Sequence, residues 1–298
     1  MKTQTKADIS LLMVTIFWGA SCLLLKLGLE DIQAFNLIAV RFICAFLLAA
    51  AIFHKRLMKV DRKVLGYAAI LSGLLFIVQV SMTYGVKYTS VSNAGFLTCL
   101  AGIFVPIILF TVLKQKVERK VILSVSMAAM GVYMITSKGQ YQFNIGDVLC
   151  VLCSLAFAAY IIVTGKLTKG VDSLSLGILQ LGFVGLYGGV FSVFLEQPKF
   201  PATLTSWGAI LALSVFCTAF AFIAQTIAQK YTSPTHTGLI FTLEPVFTAI
   251  FAFAFLNEVL TKAAYFGGGI LLLSILLVEL DMKPFAQRYF LQSDEPIE

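Results

Sequence analysis

Charge is what this sequence has least of. Asp, Glu, Lys and Arg together make up 12% of its 298 residues, against 59% hydrophobic ones, and the mean hydropathy is +0.92. A soluble globule carries charge on about a quarter of its residues, so there is too little polar surface here to cover one, and a soluble enzyme is excluded. No polar segment is long enough for a sizeable aqueous domain. No cysteine stands in a loop: Cys22, Cys44, Cys99, Cys150, Cys153 and Cys217 all fall in apolar runs, which implies no disulfide framework. The CxxC of Cys150 and Cys153 lacks a second pair or a nearby histidine and reads as packing rather than a metal or redox site. There is no Walker-type loop to feed on ATP. Nor is there a cluster of acid, histidine and serine at one membrane face, as a membrane-bound lipid-modifying enzyme would need. Neither metal nor cofactor is expected.

What is present in excess is the apolar run. Ten of them, each near the length of the hydrocarbon core, cover residues 8–27, 34–53, 64–86, 90–113, 120–137, 146–165, 173–195, 205–228, 234–256 and 262–280. Backbone groups in lipid must be satisfied within the segment, and the runs are too long and uniformly apolar for barrel strands, so they are expected to be helices. The first is as long as the rest and lacks a cleavage pattern, so it reads as a retained span. The expected fold is an all-α membrane protein with ten transmembrane helices.

The net charge of +7 is not a nucleic-acid signal, because its distribution follows the spans. With the amino terminus inside, the inside segments hold 16 of the 22 basic residues, among them Lys55, Arg56, Lys59, Arg62 and Lys63. Only Lys26, Lys87, Lys138, Lys199 and Lys262 fall outside, and Arg41 lies within a span. The positive-inside rule then places both termini in the cytoplasm.

An internal repeat organises the runs. Residues 83–95, TYGVKYTSVSNAG, align without a gap on residues 226–238, TIAQKYTSPTHTG, at an offset of 143 with six of thirteen positions identical. The match straddles the third and fourth runs of each half. The expected organisation is two five-helix repeats, 1–140 and 141–281, with a cytoplasmic tail over 282–298. An odd number of spans per repeat inverts the second copy, and an inverted repeat offers two near-equivalent closures around a central site, the geometric requirement of alternating access.

The motifs FWGAS at 17–21, Arg41 with Phe42, YTSVSNAG at 88–95, Glu118, GDVLCVLCSLAFAAY at 146–160 and YTSPTHTGLIFTLEPVFTAIFAFAFLNE at 231–258, closing on Glu258, occur here in that order. Together with the five-plus-five layout they resemble the EamA family of the drug/metabolite transporter superfamily, over nearly the whole chain. The resemblance implies a secondary carrier in the bacterial inner membrane, commonly an exporter of amino acids or other small organic metabolites. Phe157 stands where many relatives carry tryptophan.

The candidate site residues are the polar groups inside the runs. Arg41 lies about 10 Å deep in its span at 1.5 Å per residue, where a guanidinium costs on the order of 2.5–3.5 kcal/mol unless it finds an anion, carbonyls or water. It reads either as a contact for a substrate carboxylate or as a structural ion pair or snorkelling anchor. Glu244, followed by Pro245, lies mid-run with a helix kink expected beside it, and is the candidate proton-coupling group or a capped structural acid. His236 starts a run, can titrate near neutral pH and is the second coupling candidate. Trp18, Ser21, Gln79, Asn93, Thr98, Gln225 and Thr242 complete the candidate substrate contacts. Gln225 and Gln229, four apart, share a helical face, and Asn93 and Thr98 share a wider arc; both are expected to line a cavity, with interhelical hydrogen bonding as the alternative. Amides, which both donate and accept, suit a small zwitterionic or neutral polar cargo. The expected function is therefore export of amino acids or similar metabolites, with multidrug efflux as the alternative. Its expected partners are the cargo, the lipid bilayer and protons, and the protein is expected to be a monomer or homodimer.

Overall fold

A computed structural model describes residues 3–112, 114, 119–136, 144–256 and 262–279. Among them the regular structure is entirely helical. The helices are α1 (Thr3–Leu29), α2 (Ala34–Leu57), α3 (Arg62–Tyr88), α4 (Val91–Thr98), α5 (Ala101–Thr111), α6 (Arg119–Thr136), α7 (Ile145–Leu167), α8 (Ser173–Leu195), α9 (Leu204–Ala212), α10 (Ala221–Ala228), α11 (Pro234–Phe241), α12 (Glu244–Leu256) and α13 (Lys262–Glu279). A π-helical segment, Leu213–Phe220, joins α9 to α10. Eight stretches are long and apolar enough to cross a membrane: Gln4–Leu29, Ala34–Leu57, Arg62–Tyr88, Val91–Thr111, Ile145–Leu167, Ser173–Leu195, Leu204–Ala228 and Pro234–Phe255. The expected fifth and tenth runs do form helices, α6 and α13, which pack on each other. In α6, however, the apolar stretch is only Ile122–Gly131. Glu118, Glu258 and the tail 282–298 lie outside the described residues.

Large apolar side chains cover much of the outside of the bundle, as lipid solvation requires, and polar ones are set into its largely apolar core. Leu47, Ile52, Ile70, Leu186, Phe194 and Phe253 are exposed, whereas Arg41, Gln79, Gln180, Gln225, Gln229 and Glu244 are buried. Exposed apolar side chains on eight helices of spanning length are those of a multi-pass membrane protein. α2 packs along α8, α3 along α7, and α1 along both the α9–α10 rod and α12.

Two expected single spans are broken near the middle of their length. α4 gives way to α5 at Cys99–Leu100, and α11 to α12 at Thr242–Leu243. At the second break Thr242 N–H donates to Leu239 O at 3.1 Å and Leu243 N–H to Ile240 O at 3.1 Å, tight turns that satisfy the backbone where the α-helical bonds lapse. The kink expected at Pro245 is thus displaced: the break precedes Glu244, and Pro245 sits in the first turn of α12, where a missing N–H leaves nothing unpaired. The broken rods cross where Gly102 meets Gly238. A Cβ on Gly102 would come within 2.2 Å of Thr242 Cγ2 and 2.7 Å of Gly238 O.

The two halves share boundaries. α4 spans 91–98 and α11 spans 234–241; α6 spans 119–136 and α13 spans 262–279. Each pair differs by 143, the offset of the sequence match. Ser90 and Ser233, identical in that match, are both N-caps, accepting from Asn93 N–H and His236 N–H at 3.2 Å each.

Carboxylates tie the helix ends together. Glu196, at the end of α8, accepts from the N–H groups of Phe35 at 3.0 Å and Asn36 at 2.8 Å in the open first turn of α2. Asp31 accepts from Ala202 N–H at 2.6 Å and Thr203 N–H at 3.1 Å just before α9. Asp147 holds α7 in a capping box with Asn144 and accepts from Thr89 Oγ1 at 2.6 Å, joining α7 to the turn between α3 and α4.

Candidate functional site

Six of the predicted site residues meet around one cavity of about 50 Å3. Trp18 and Ser21 of α1, Arg41 of α2, Gln79 of α3, Thr98 of α4 and Glu244 of α12 line it, with Leu25, Val78, Met82, Cys153, Phe157 and Phe222 completing the wall. These positions are far apart in the chain and converge because α4 and α12 end and begin at their breaks, beside the crossing of the broken rods.

Arg41 is almost fully buried, and its partners are neutral. Nε donates to Thr218 Oγ1, Nη1 to Gln79 Oε1 at 3.2 Å and Nη2 to Cys217 O at 3.4 Å. The structural ion pair therefore does not form: among the described residues no carboxylate pairs with this guanidinium. Cys217 O also accepts from Trp18 Nε1 at 3.0 Å. Trp18 is packed by Phe241 at 4.9 Å, Phe222 at 5.2 Å and Phe157 at 5.4 Å between ring centroids, an aromatic floor to the cavity. Ser21 and Thr98 turn their protons back onto their own helices, to Trp18 O at 2.7 Å and Ala94 O at 2.9 Å, which leaves their lone pairs as acceptors.

Glu244 opens α12, where the helix dipole favours negative charge. Among the described residues its carboxyl forms no ion pair. The cavity thus holds a cation and an acid that do not neutralise each other.

The other four predicted residues stand elsewhere. Gln225 Nε2 donates to Gln229 Oε1 at 3.1 Å, and Gln229 Nε2 to Ile161 O at 3.0 Å, so this face cross-links α10 to α7 instead of lining the cavity. Thr242 Oγ1 bonds Leu239 O at 2.6 Å and its methyl packs on Gly102. Asn93 is half-buried in the first turn of α4, apart from Thr98 at the helix's other end. His236 Nε2 lies 3.0 Å from Asp8 Oδ1, joining the start of α11 to the start of α1. The sequence reading missed Asp8, Thr218 and Cys217. Thr218 stands alone among apolar neighbours with no spacing to mark it. Phe222, by contrast, lies 143 residues from Gln79 and could have been found by extending the repeat alignment.

The profile of the EamA-like transporter family matches residues 5–137 and again residues 144–280. The chain belongs to that family. Among EamA-type relatives, an uncharacterized transporter of Archaeoglobus fulgidus is 32% identical over 276 residues, covering 92% of this chain and 86% of its own length. A second from that organism is 30% identical, covering 86% and 91%. The uncharacterized transporter YetK of Bacillus subtilis is 24% identical, covering 96% and 92%. A crystal structure superposes at a TM-score of 0.75 and 15% identity, over 96% of this chain and 99% of that one, a likeness of fold. With an EamA profile over both halves, the polar cavity lies in a transporter.

Proposed function

We infer that this transporter is a ten-helix secondary carrier that exports amino acids or similarly sized polar metabolites by alternating access, from the inner membrane of a bacterial cell with both termini in the cytoplasm. The observation that carries the reading is the meeting of Arg41 and Glu244, unpaired with each other, on one cavity bordered by two broken helices. Helix breaks at mid-membrane expose backbone and are tolerated where they line a site. A cation at one place and an acid at another suit a cargo bearing both an anionic and a cationic group. The double match of the family profile and the shared helix boundaries at 143 support an inverted pair of five-helix repeats. At about 50 Å3 the cavity is far below the roughly 300–1,000 Å3 of drug-sized sites. Loading therefore requires the helices to part, as alternating access supplies.

Glu244 is the group through which protons drive export: it binds cargo amine when ionised and releases it when protonated. Proteoliposomes made with Glu244→Gln, a neutral mimic of the protonated acid, are expected to lose both the response to an imposed pH gradient and most of the amino-acid exchange. Full gradient-driven transport by that variant would remove Glu244 from the coupling. Resistance to lipophilic drugs in cells overproducing the protein, with no excreted amino acid, would assign it to drug efflux instead.

A further inference from the structure

Among the described residues, the α9–α10 rod alone is interrupted by a π-helical segment, Leu213–Phe220. At the offset of 143 its positions fall on residues 70–77, inside the continuous α-helix α3, and the position equivalent to Thr218 is the fully buried Leu75. π turns inside α-helices cost hydrogen-bond geometry and concentrate at functional sites.

Here the wide turn has a local product. Thr218 Oγ1 donates its one proton to Leu213 O at 2.7 Å, five residues back, the reach of a π turn rather than an α turn. With that proton committed, the oxygen has only lone pairs left to offer. It is therefore a fixed acceptor, and what it accepts is the Nε–H of Arg41. The neighbouring Cys217 carbonyl takes Nη2 and Gln79 takes Nη1. Three of the five guanidinium N–H groups are held by neutral acceptors; among the described residues no acceptor takes the other two, and Arg41 lines the cavity.

We propose that Thr218, presented by the π segment, is the positioning residue for an anion subsite at Arg41: it pins the Nε edge so that the free Nη donors are presented to a carboxylate on the cargo. The proposal rests on the reading of the cavity as the cargo site. The π register is what brings an acceptor to this edge, since Leu75 in the other half has none to give.

The test compares the full-length protein with Thr218→Val, which keeps the shape and loses the acceptor, and with Thr218→Ser, which restores the hydroxyl. Two readouts are taken in proteoliposomes. The first is the rate at which phenylglyoxal labels Arg41, followed by peptide mass mapping with Arg56 and Arg62 as internal controls. In the valine variant Arg41 is expected to label about threefold faster or more, with Arg56 and Arg62 unchanged and the serine variant at the wild-type rate, because a lost hydrogen bond to a charged group frees the side chain. The second is counterflow of an equimolar mixture of labelled amino acids, whose half-saturating concentration is expected to rise about fivefold or more in the valine variant while the maximal rate stays within about twofold. Labelling of Arg41 at the wild-type rate in Thr218→Val, or no recovery in Thr218→Ser, overturns the proposal. If the valine variant does not assemble, Thr218→Ala makes the same comparison. Absence of counterflow in the wild-type protein, with the labelling pattern as expected, would overturn amino-acid carriage and leave the positioning role standing.

Discussion

Arg41 shows how much a single side chain has to settle in a membrane interior. Its charge is stabilised by a hydroxyl, an amide and a carbonyl from two other elements rather than by a carboxylate, so the cost of burial is met by dipoles and the charge itself stays available. Lysine preserves that charge but offers no planar fork of donors. Arg41→Lys is therefore expected to insert and fold while counterflow falls about tenfold to a hundredfold, the worth of one or two hydrogen bonds to a charged group. Unchanged counterflow would return Arg41 to a purely structural role. At the protein's edge, the N–H groups of Thr203 and Ala202 hold the Asp31 carboxyl below the usual aspartate range. A depressed folded-state pKa stabilises above the unfolded value and ceases to do so as pH falls through the folded one. The melting temperature of Asp31→Asn is expected to lie below that of the wild-type protein at pH 7, and the gap to close under acid conditions in which both forms are neutral. A gap independent of pH would mean that the loop connection does not depend on the carboxylate's charge.

At the scale of elements, the broken rods define the site. α4 and α12 terminate beside the cavity because the chain turns at Cys99–Leu100 and Thr242–Leu243, and the rods approach closely only because Gly102 faces Gly238. Valine at position 102 places a branched side chain where even a Cβ meets Thr242 Cγ2 at 2.2 Å. Overpacking of this kind costs about 1–3 kcal/mol, and Gly102→Val is expected to lower the melting temperature in detergent and to abolish counterflow. Gly66, whose Cβ would have nothing within 4 Å, is the control: Gly66→Ala is expected to change neither. Equal melting temperatures for Gly102→Val and the wild type would show that the rods can separate without cost.

At the scale of the whole molecule, charge distribution and connectivity bear on orientation together. Glu30 lies in the turn between α1 and α2, and Met58 follows the basic end of α2. With cytoplasmic termini, a membrane-impermeant maleimide is expected to label Glu30→Cys in intact cells and Met58→Cys only after permeabilisation, each in a background lacking the native cysteines. The reverse pattern would invert the topology read from the lysines and arginines. The chain's own residues at these points are exposed, so labelling reports side and not burial.

Periodicity and composition made most of the helices legible, because lipid demands long apolar runs and charge is confined largely to the segments between them. The same averaging over 20 residues hides a break of two, so the divided fourth and ninth runs and the π turn were not readable. Trp18, Ser21, Arg41, Gln79, Thr98 and Glu244 stood out as polar groups in apolar surroundings, and so did Gln225 and His236, which serve interhelical contacts. Polarity within a span says that a side chain needs a partner without saying whether that partner is another helix or a cargo. Membrane residence and the offset of 143 were thus set by the sequence alone. Which polar residues share a cavity, and that Arg41 meets a threonine rather than an acid, was decided only by the tertiary structure, because both depend on the rotation of whole helices about their axes, and that rotation is chosen by packing between rods distant in the chain.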